Sequence, residues 1–432
     1  MKKANHNHCP ALLISAPASG QGKTTFTAAL ARYHRNQGHN VRVFKTGPDF
    51  LDPMILEQAC GNPVYQLDLW MVGEQACKQQ LYEAAADADL ILIEGVMGLF
   101  DGKPSSADLA ELFDIPVLAL IDASAMAQTF GALAYGLAHY RPALPFAGVV
   151  ANRVASQGHG EMLAESLPDS VNYFGGLLRN EAITLPERHL GLVQAEEVDD
   201  LENRLNHAAE LITQTKLTSL PGKVIFETVN TQTTEPLLKN IKIGIARDAA
   251  FAFIYPANLD VLKEMRAELI FFSPLTDKAI PEVDAIWLPG GYPELHLAEL
   301  EQNKSMFESI QQHYNNDKPI LAECGGMLYL TQSLTDKEGK KADMVGLLPA
   351  DGKMQSKLAG LGMQQAPLPE GDFTAHTFHH SLLETDMEPV AHGVRQRGNN
   401  PGEAIYRSKA LTATYLHLYF SSNTLATAKL FK

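Results

Sequence analysis

Short aliphatic and β-branched runs alternate with longer stretches of helical period over the first half of the chain. Six of these runs read ALLISAP, VRVFKTG, LILIEGV, VLALIDA, FAGVVAN and NYFGGLL. Each is short and almost wholly apolar, which is typical of a strand buried on both faces of a sheet. The alternation of such strands with helices predicts an α/β domain with a mostly parallel sheet.

The pattern changes near residue 212, where TQTKLTSLPGKVIFETVNTQTTEPLLKN follows without sustained periodicity. This segment is rich in Thr, Asn, Gln and Pro, as connections between domains often are. A second series of strands then begins, with IKIGIA, ELIFFSP, AIWLPGG and PILAECGG. We therefore predict a flexible tail at 1–9, an α/β domain at 10–215, a linker at 216–240 and a different α/β domain at 241–432.

Composition narrows the class of protein. The chain has 432 residues, which is long for one core, and its formal net charge of −15 argues against a nucleic-acid partner. Its four cysteines, Cys9, Cys60, Cys77 and Cys324, share no metal-ligand spacing, which favours a reducing cytoplasm. No run is long enough for a signal peptide or a membrane span, so we expect no membrane partner.

A glycine-rich loop follows the first strand in LLISAPASGQGKTTFTAALARY, and an amphipathic helix follows the loop. Backbone N–H groups in such a loop, with the positive end of the helix, form a cradle for phosphate oxygens. Lys23 would reach the β and γ phosphates of ATP and the Thr24 hydroxyl would bind Mg²⁺. The strict motif has glycine at position 17, where this chain has Pro17. The predicted nucleotide-binding residues of the loop are Gly20, Gly22, Lys23, Thr24 and Thr25.

Acidic residues follow two neighbouring predicted strands. LILIE ends in Glu94 and its loop carries Asp101, while VFKTGPDFLDP carries Asp49 and Asp52. Ligands of open parallel sheets bind at the carboxyl ends of the strands, and Mg²⁺ prefers oxygen ligands. We predict Glu94 and Asp49 as metal ligands with Thr24, and Asp49 and Asp101 at the site of phosphoryl transfer. Asp52 ranks lower because the pair Asp-Pro also shapes turns.

In the second domain, PILAECGGMLYLTQSL predicts a strand that ends at Cys324, a glycine turn and then a helix over MLYLTQSL. Such a turn resembles a nucleophile elbow, which exposes the sulfur and points the helix N-terminus at it, favouring the thiolate. The preceding loop, LPGGYPE, offers the N–H groups of Gly290 and Gly291. With the N–H of Gly325 these form a candidate oxyanion hole.

A cysteine nucleophile needs a base, which is usually a histidine distant in sequence. The candidates are His417, within ATYLHLYF, and the cluster of His376, His379 and His380, within AHTFHHS. The residues themselves leave the choice between these open.

The motifs together resemble the cobyrinate a,c-diamide synthase family, glutamine-dependent amidotransferases of corrinoid biosynthesis that include hydrogenobyrinate a,c-diamide synthase. The resemblance runs from about residue 10 to the C-terminus. It is carried, in the family's order, by SGQGKTT, FKTGPDFLDP, EGVMGLFDG, ANRV, ARDAAFAFIYPANLDVL, FFSPL, GGYPEL, AECGGMLYL and YLHLYF.

The resemblance implies an N-terminal P-loop domain similar to dethiobiotin synthetase and a C-terminal glutaminase domain of the triad type (class I). It implies Cys324 as the nucleophile, His417 as its base and Asn152 as the residue that meets adenine. In triad glutaminases a glutamate follows the histidine by two positions, where this chain has Tyr419. The family segment HEFHYS also differs here, with Thr377 and His380 in place of its glutamate and tyrosine.

The implied activity is ATP- and glutamine-dependent amidation of the a and c carboxylates of cobyrinate or hydrogenobyrinate through acyl phosphates, in cobalamin biosynthesis. Free ammonia would be lost to solvent, so we expect the two sites to face one another. Two alternatives stay open: the same chemistry on a nickel tetrapyrrole, and a nucleotide-switched binding protein without enzymatic activity. The sequence also leaves the assembly open, with a homodimer among the alternatives.

Overall fold

The computed structural model describes residues 6–183, 187–188, 191–192, 194–229 and 234–432. The chain divides into two compact units, Met1–Thr231 and Gln232–Lys432. Each has its own buried apolar core.

The first unit is built from strands that alternate with helices. Its strands are β1 (His6–Ser15), β2 (Val41–Thr46), β3 (Tyr65–Leu67), β4 (Leu90–Glu94), β5 (Val117–Asp122), β6 (Phe146–Val154), β7 (Tyr173–Leu178), β8 (Glu187–Arg188), β9 (Gly191–Leu192) and β10 (Lys223–Glu227). Its α-helices are α1 (Lys23–Asn36), α2 (Leu51–Cys60), α3 (Glu74–Ala84), α4 (Ser106–Leu112), α5 (Thr129–His139), α6 (Gln157–Glu165) and α7 (Leu201–Leu211). Short 3-10 or π turns lie at Leu69–Gly73, Glu181–Ile183, Ala195–Glu197, Ile212–Gln214 and Lys216–Thr218.

The main sheet of this unit is parallel, with strand order β3-β2-β4-β1-β5-β6-β7 within the described residues. All six runs that the hydrophobic pattern predicted as strands lie in it. Every residue of β4 is buried, as expected for a strand between two helical layers. The predicted P-loop α/β fold is confirmed.

Two segments differ from the expected tail and linker. Strand β1 already begins at His6, so residues 6–9 belong to the sheet rather than to a tail. Their partner is β10, which lies inside the predicted linker and pairs antiparallel with β1, with His6 opposite Glu227. Val224 and Phe226 are buried and alternate with the exposed Lys223, Ile225 and Glu227, so β10 packs one apolar face onto the sheet.

The second unit begins as an α/β domain and continues as an antiparallel one. Its strands are β11 (Lys242–Ala246), β12 (Glu268–Phe272), β13 (Ala285–Leu288), β14 (Ile320–Glu323), β15 (Ser333–Thr335), β16 (Lys341–Asp343), β17 (Ala350–Met354), β18 (Gly360–Leu368), β19 (Gly371–His379), β20 (Ser381–Thr385), β21 (Ala391–Arg395), β22 (Pro401–Ser408), β23 (Leu411–Thr414) and β24 (His417–Leu418). Its α-helices are α8 (Pro256–Glu264), α9 (Leu297–Gln302), α10 (Lys304–Asn315), α11 (Gly325–Tyr329) and α12 (Thr424–Leu430), with 3-10 turns at Pro293–Leu295 and Phe420–Ser422.

Its large sheet has the order β12-β11-β13-β14-β23-β22-β21-β18-β19-β24 within the described part of the chain. The strands β12, β11, β13, β14 and β23 are parallel, and the remaining pairs are antiparallel. The four predicted strands of this half are all present. The helix predicted over MLYLTQSL is wrong in its second half, because α11 ends at Tyr329 and Ser333 starts strand β15.

Among the residues that the structure describes, none of the helices is both long and apolar enough to span a membrane.

Candidate active sites

The phosphate loop of the first unit connects β1 to α1. Gly20 and Gly22 have φ values of 77° and 90°, in the left-handed region that glycine adopts without strain. Helix α1 carries no acidic residue in its first turn, so no side chain there neutralises the positive end of the helix dipole. The end of β1 thus leads into a ready anion-binding turn, as the sequence motif predicted.

Lys23, the first residue of α1, is buried and bends back over the loop. Its Nζ donates to the carbonyl oxygens of Met97, at 2.6 Å, and Ala18, at 3.2 Å. Burial lowers the Lys23 pKa, and the positive charge of Lys45 lowers it further, while the negative charge of Glu94 acts in the opposite sense. The cation is therefore held by two neutral carbonyls, which an incoming phosphate can replace with a stronger ion pair.

Asn152 lies at the end of β6 beside the same loop. Its Nδ2 donates to the Gln21 carbonyl at 2.8 Å, and a methyl group at position 22 would lie 2.6 Å from that nitrogen. A cavity of about 360 Å³ opens here, lined among others by Gly22, Thr25, Asn152 and Arg153. Three of the predicted nucleotide-binding residues thus line one cavity next to the loop.

Thr24 and Glu94 form the metal-binding candidate. Thr24 Oγ1 donates to Glu94 Oε1 at 3.0 Å, and Glu94 Oε2 is buried without a hydrogen-bond partner within the described residues. Burial raises the Glu94 pKa to about 7 against the opposing effect of Lys45. A hydroxyl and a carboxylate with a spare oxygen suit Mg²⁺, which needs few protein ligands when phosphates supply the rest. The described residues hold no group of three or more His, Cys, Asp or Glu side chains arranged to bind a metal alone.

Lys45 is a central residue that the sequence analysis missed. It is the penultimate residue of β2, and its Nζ lies 2.6 Å from Glu94 Oε1, 2.5 Å from Asp52 Oδ2 and 3.7 Å from Asp49 Oδ2. Burial alone would lower the Lys45 pKa, but the three carboxylates outweigh burial and raise it above its usual range. Lys45 in turn keeps the Asp52 pKa below normal although burial opposes this. The signal was present as a lysine in an apolar strand, with aspartates four and seven residues later.

The two predicted phosphoryl-transfer aspartates lie in different surroundings. Asp49 contacts Lys45, and its Oδ1 also accepts the N–H of Leu51 at 2.9 Å. Asp101 is exposed in the loop after β4, where its Oδ2 accepts the N–H of Gly98 at 3.0 Å. The structure therefore brings Asp49, and with it Asp52, to the Lys45–Glu94 pair, while Asp101 shapes the loop whose Met97 carbonyl binds Lys23.

The candidate nucleophile of the second unit stands at a sharp turn between β14 and α11. Cys324 has φ 45° and ψ −107°, an unusual backbone conformation for a residue with a side chain. Its N–H donates to the Thr414 carbonyl at 2.8 Å, and the N–H of Gly325 is directed at the sulfur. The turn is the elbow that the sequence predicted, and its strain is held by the surrounding sheet.

The protonation state of this cysteine differs from our expectation. Burial raises the Cys324 pKa, and the charge of Glu294 adds to this, outweighing the N–H of Gly325. The following helix is only five residues long, so its dipole is small. These surroundings disfavour the thiolate of Cys324, so a nearby base would be needed to activate it.

His417 is buried beside the glycine loop. A methyl group at position 290 would lie 2.3 Å from His417 Cε1, and one at position 325 would lie 2.9 Å from the backbone nitrogen of Gly291. The loop of Gly290 and Gly291 thus packs against the imidazole on one side and against the Cys324 turn on the other. Burial lowers the His417 pKa well below its usual value, with His376 and His379 adding to the effect. A neutral imidazole can accept the thiol proton.

The second histidine candidate lies directly across the sheet from the first. His376 of β19 is paired with His417 of β24, and their ring centroids are 6.3 Å apart. His379 stacks on Tyr415 with centroids 3.6 Å apart, and its Nε2 lies 3.3 Å from Glu403 Oε2. His380 contacts Phe378. His376 and His417 therefore lie side by side at the same end of the sheet.

The buried Glu323, one residue before the nucleophile, was also missed. Its Oε1 accepts the N–H of Leu418 at 2.8 Å and its Oε2 accepts Nε1–H of Trp287 at 2.9 Å. Burial raises the Glu323 pKa to about 8. Tyr419, at the position where triad glutaminases have glutamate, is buried and packs edge-on against Tyr255 at 5.9 Å.

Comparison with known proteins identifies the two domains in which these candidate sites lie. Residues 12–193 match the family described as "CobQ/CobB/MinD/ParA nucleotide binding domain", and residues 242–425 match "CobB/CobQ-like glutamine amidotransferase domain". Hydrogenobyrinate a,c-diamide synthases of Stutzerimonas stutzeri and Pseudomonas aeruginosa are 59% and 58% identical, covering 98% of this chain and 99% and 97% of theirs. A cobyrinate a,c-diamide synthase of Herminiimonas arsenicoxydans is 50% identical, over 98% of this chain and 97% of its own.

A nucleotide-binding domain followed by a glutamine amidotransferase domain defines the protein as an amidating ligase. Because the relatives match almost end to end, the chain belongs to the cobyrinate a,c-diamide synthase family, which includes the hydrogenobyrinate a,c-diamide synthases.

Proposed function

We propose that this enzyme amidates the a and c carboxylates of hydrogenobyrinate or cobyrinate, using ATP to activate each carboxylate and glutamine as the nitrogen source. The observation that carries the proposal is the near full-length match to two hydrogenobyrinate a,c-diamide synthases at 59% and 58% identity. The cobyrinate a,c-diamide synthase at 50% identity keeps the cobalt-containing macrocycle as the second candidate.

The first unit supplies the activation. A carboxylate is not amidated directly, because hydroxide is a poor leaving group from the tetrahedral adduct. Transfer of the γ-phosphoryl group of ATP to a macrocycle carboxylate gives an acyl phosphate, from which ammonia displaces phosphate. Lys23 would leave its carbonyl partners to bind the phosphates, and Thr24 and Glu94 would hold Mg²⁺, with Asp49 as a further candidate ligand. When bound, Mg²⁺ neutralises charge on the transferring group.

Lys45 supports this chemistry by holding the carboxylates in place. Charges of Glu94, Asp52 and Asp49 in one buried cluster would repel one another, and the ammonium group between them offsets that repulsion. The carboxylate oxygens are thereby fixed before nucleotide binds. Such preorganisation lowers the reorganisation needed during phosphoryl transfer.

The second unit supplies ammonia. His417 would take the proton of the Cys324 thiol as sulfur attacks the side-chain amide carbon of glutamine, and would return it to the leaving ammonia. The N–H groups of Gly290, Gly291 and Gly325 are the candidate donors to the oxyanion of the tetrahedral intermediate. Water then hydrolyses the thioester to release glutamate.

The test is an assay of the purified protein with Mg-ATP, glutamine and either macrocycle, read by mass spectrometry. The expected result is loss, for each carboxylate converted, of the mass difference between a hydroxyl and an amino group. A nickel tetrapyrrole added as competitor tests the remaining enzymatic alternative. Absence of amidation of both corrin macrocycles would refute the proposal, and ATP-dependent binding without amidation would favour the switch-protein alternative.

A further inference from the structure

Glu323 is a buried carboxyl group placed between the two catalytic candidates of the second unit. It is the last residue of β14 and directly precedes Cys324, and only 1% of its surface is exposed. Burying a carboxyl group costs free energy unless both oxygens find donors. Its presence in an otherwise apolar strand therefore calls for partners, and the structure provides two.

Both partners of Glu323 are hydrogen-bond donors. Trp287 Nε1–H donates to Oε2 at 2.9 Å, and the backbone N–H of Leu418 donates to Oε1 at 2.8 Å. Neither an indole N–H nor a peptide N–H can accept a hydrogen bond. The position thus requires a side chain with two acceptor oxygens, which a carboxyl group supplies and a carboxamide does not.

Leu418 follows His417 in the two-residue strand β24. The main chain after His417 is held by three partners from outside the strand. Asn258 Nδ2 donates to the Leu418 carbonyl at 2.8 Å, the N–H of Tyr419 donates to the Thr374 carbonyl at 2.9 Å, and the N–H of Leu418 donates to Glu323. Among these three, Glu323 is the partner adjacent in sequence to the nucleophile.

We infer that Glu323 is a positioning residue for glutamine hydrolysis, which fixes His417 relative to Cys324 by holding the Leu418 N–H. It links the residue before the nucleophile to the residue after the base. The carboxyl group of Glu323 thereby orients His417 through the backbone. Triad glutaminases instead have a glutamate two positions after the base, where this chain has Tyr419. The inference rests on the function proposed above for Cys324 and His417.

A purely structural role would predict something different. If Glu323 only filled a polar gap in the core, then losing the hydrogen bond to Trp287 or the one to Leu418 would reduce glutamine hydrolysis equally. The Trp287 bond is the matched control, because it satisfies the same carboxyl group without binding the backbone of Leu418. The indole ring also packs against Phe420, with centroids 4.8 Å apart, which is why the control keeps an aromatic ring. Trp287→Phe keeps an aromatic ring and leaves the Leu418 bond in place.

The experiment measures glutamate release from glutamine by the full chain, with ammonium-driven amidation as a second readout. In Glu323→Gln the amide NH₂ must face either Trp287 Nε1–H or the Leu418 N–H, so one donor opposes another. We expect kcat for glutamine hydrolysis to fall roughly ten- to a hundredfold with KM for glutamine nearly unchanged, because the base is displaced and the substrate contacts are not. Amidation with ammonium should stay at the wild-type rate, and Trp287→Phe should hydrolyse glutamine nearly as fast as wild type.

The double variant Trp287→Phe/Glu323→Gln gives the decisive comparison. With the indole donor removed, the glutamine side chain can turn its NH₂ toward the phenyl ring and its oxygen toward Leu418. Hydrolysis should therefore recover toward the rate of Trp287→Phe, although one further group has been changed. Glu323→Asp, which keeps the carboxyl group but is one methylene too short to reach both donors, should fall between wild type and Glu323→Gln.

Three results separate the inference from the function on which it rests. Glutamine hydrolysis in Glu323→Gln at the wild-type rate would overturn the inference alone. Equal losses in Glu323→Gln and Trp287→Phe, without recovery in the double variant, would show a structural role and also overturn it. Wild-type protein that amidates with ammonium but never hydrolyses glutamine would overturn both.

Discussion

Lys45 donates to Glu94 across 2.6 Å, joining the ends of two adjacent parallel strands within a cluster of three carboxylates that also includes the partly buried Asp49 and Asp52. Only 3% of the lysine side chain and none of the glutamate side chain is exposed. Buried charges of this kind are strongly coupled, because removing one leaves the others without compensation.

Lys45→Met should therefore be severely destabilising. With the ammonium gone, Glu94 and Asp52 stay buried without their cation, at an expected cost of about 3 to 5 kcal/mol in the free energy of unfolding. Urea unfolding of the variant and the wild type measures this difference. Lys78→Met, which removes an exposed pair with Glu74 at 2.7 Å, is the control and should cost less than about 1 kcal/mol. Equal losses in the two variants would show that burial of the cluster has no energetic consequence.

Thr24→Val should separate phosphoryl transfer from glutamine hydrolysis. The change keeps the shape but removes the hydroxyl that lies 3.0 Å from Glu94 Oε1. We expect ATP-dependent amidation to fall by about two orders of magnitude with either nitrogen source, a usual cost of losing a group that stabilises developing charge. Glutamine hydrolysis should continue, and Thr24→Ser should retain activity.

Thr27→Val is the control on the same helix. Thr27 Oγ1 is buried and has no hydrogen-bond partner within the described residues, so its loss should leave activity unchanged and stability unchanged or higher. The assignment of Thr24 fails if Thr24→Val and Thr27→Val amidate equally well.

Residues at strand ends were predictable because parallel sheets bring the carboxyl ends of their strands together. Gly22 and Glu94 could be placed from local motifs and apolar runs alone, and so could the turn at Cys324. Each of these follows from the periodicity of the strand before it, which the sequence displays directly.

Contacts between distant segments were not predictable in the same way. Pairing of β10 with β1 joins residues about two hundred positions apart, and no local pattern encodes it. The bond from Glu323 to the Leu418 N–H likewise depends on how β24 returns to the sheet. Lys45 was overlooked because a single lysine in a predicted strand can be exposed or buried and can pair with many different groups. Its partners Asp52 and Glu94 are visible only in the folded structure.

Cys324→Ala should abolish glutamine-driven amidation and glutamine hydrolysis while leaving ammonium-driven amidation intact. The reason is that the thiol supplies only nitrogen, and the ATP site lies in the other unit. Cys60→Ala is the matched control, since Cys60 is also free and buried but lies in the first unit. If ammonium does not restore amidation in Cys324→Ala, the two half-reactions are not separable as proposed.

Gly290→Ala should affect the base without touching the nucleophile. The added methyl group would lie 2.3 Å from His417 Cε1, closer than any real contact, so the imidazole must move. We expect glutamine hydrolysis to fall by about a hundredfold or more, which is a usual cost of displacing a catalytic group. Ammonium-driven amidation should be preserved. Gly136→Ala, in helix α5 with open space around the position, should leave both activities unchanged. A fully active Gly290→Ala would contradict the placement of His417 against this loop.

His376 should contribute a loss of stability in mild acid, opposed by buried carboxyl groups such as Glu323 whose pKa is raised. Burial lowers the pKa of His376 to about 3, whereas in the unfolded chain a histidine titrates near about 6.5. Between these pH values the unfolded state binds a proton that the native state does not, so the stabilisation is complete above about pH 6.5 and is lost as the pH falls. From about pH 6.5 to about pH 5 the loss from this group should be about 2 kcal/mol, and the difference between wild type and His376→Phe in urea unfolding midpoints at the two pH values measures it. His376→Phe should reduce this pH dependence but not remove it, because burial also lowers the pKa of His313 to about 4. An unchanged difference between the two midpoints in His376→Phe would show that His376 is not the source.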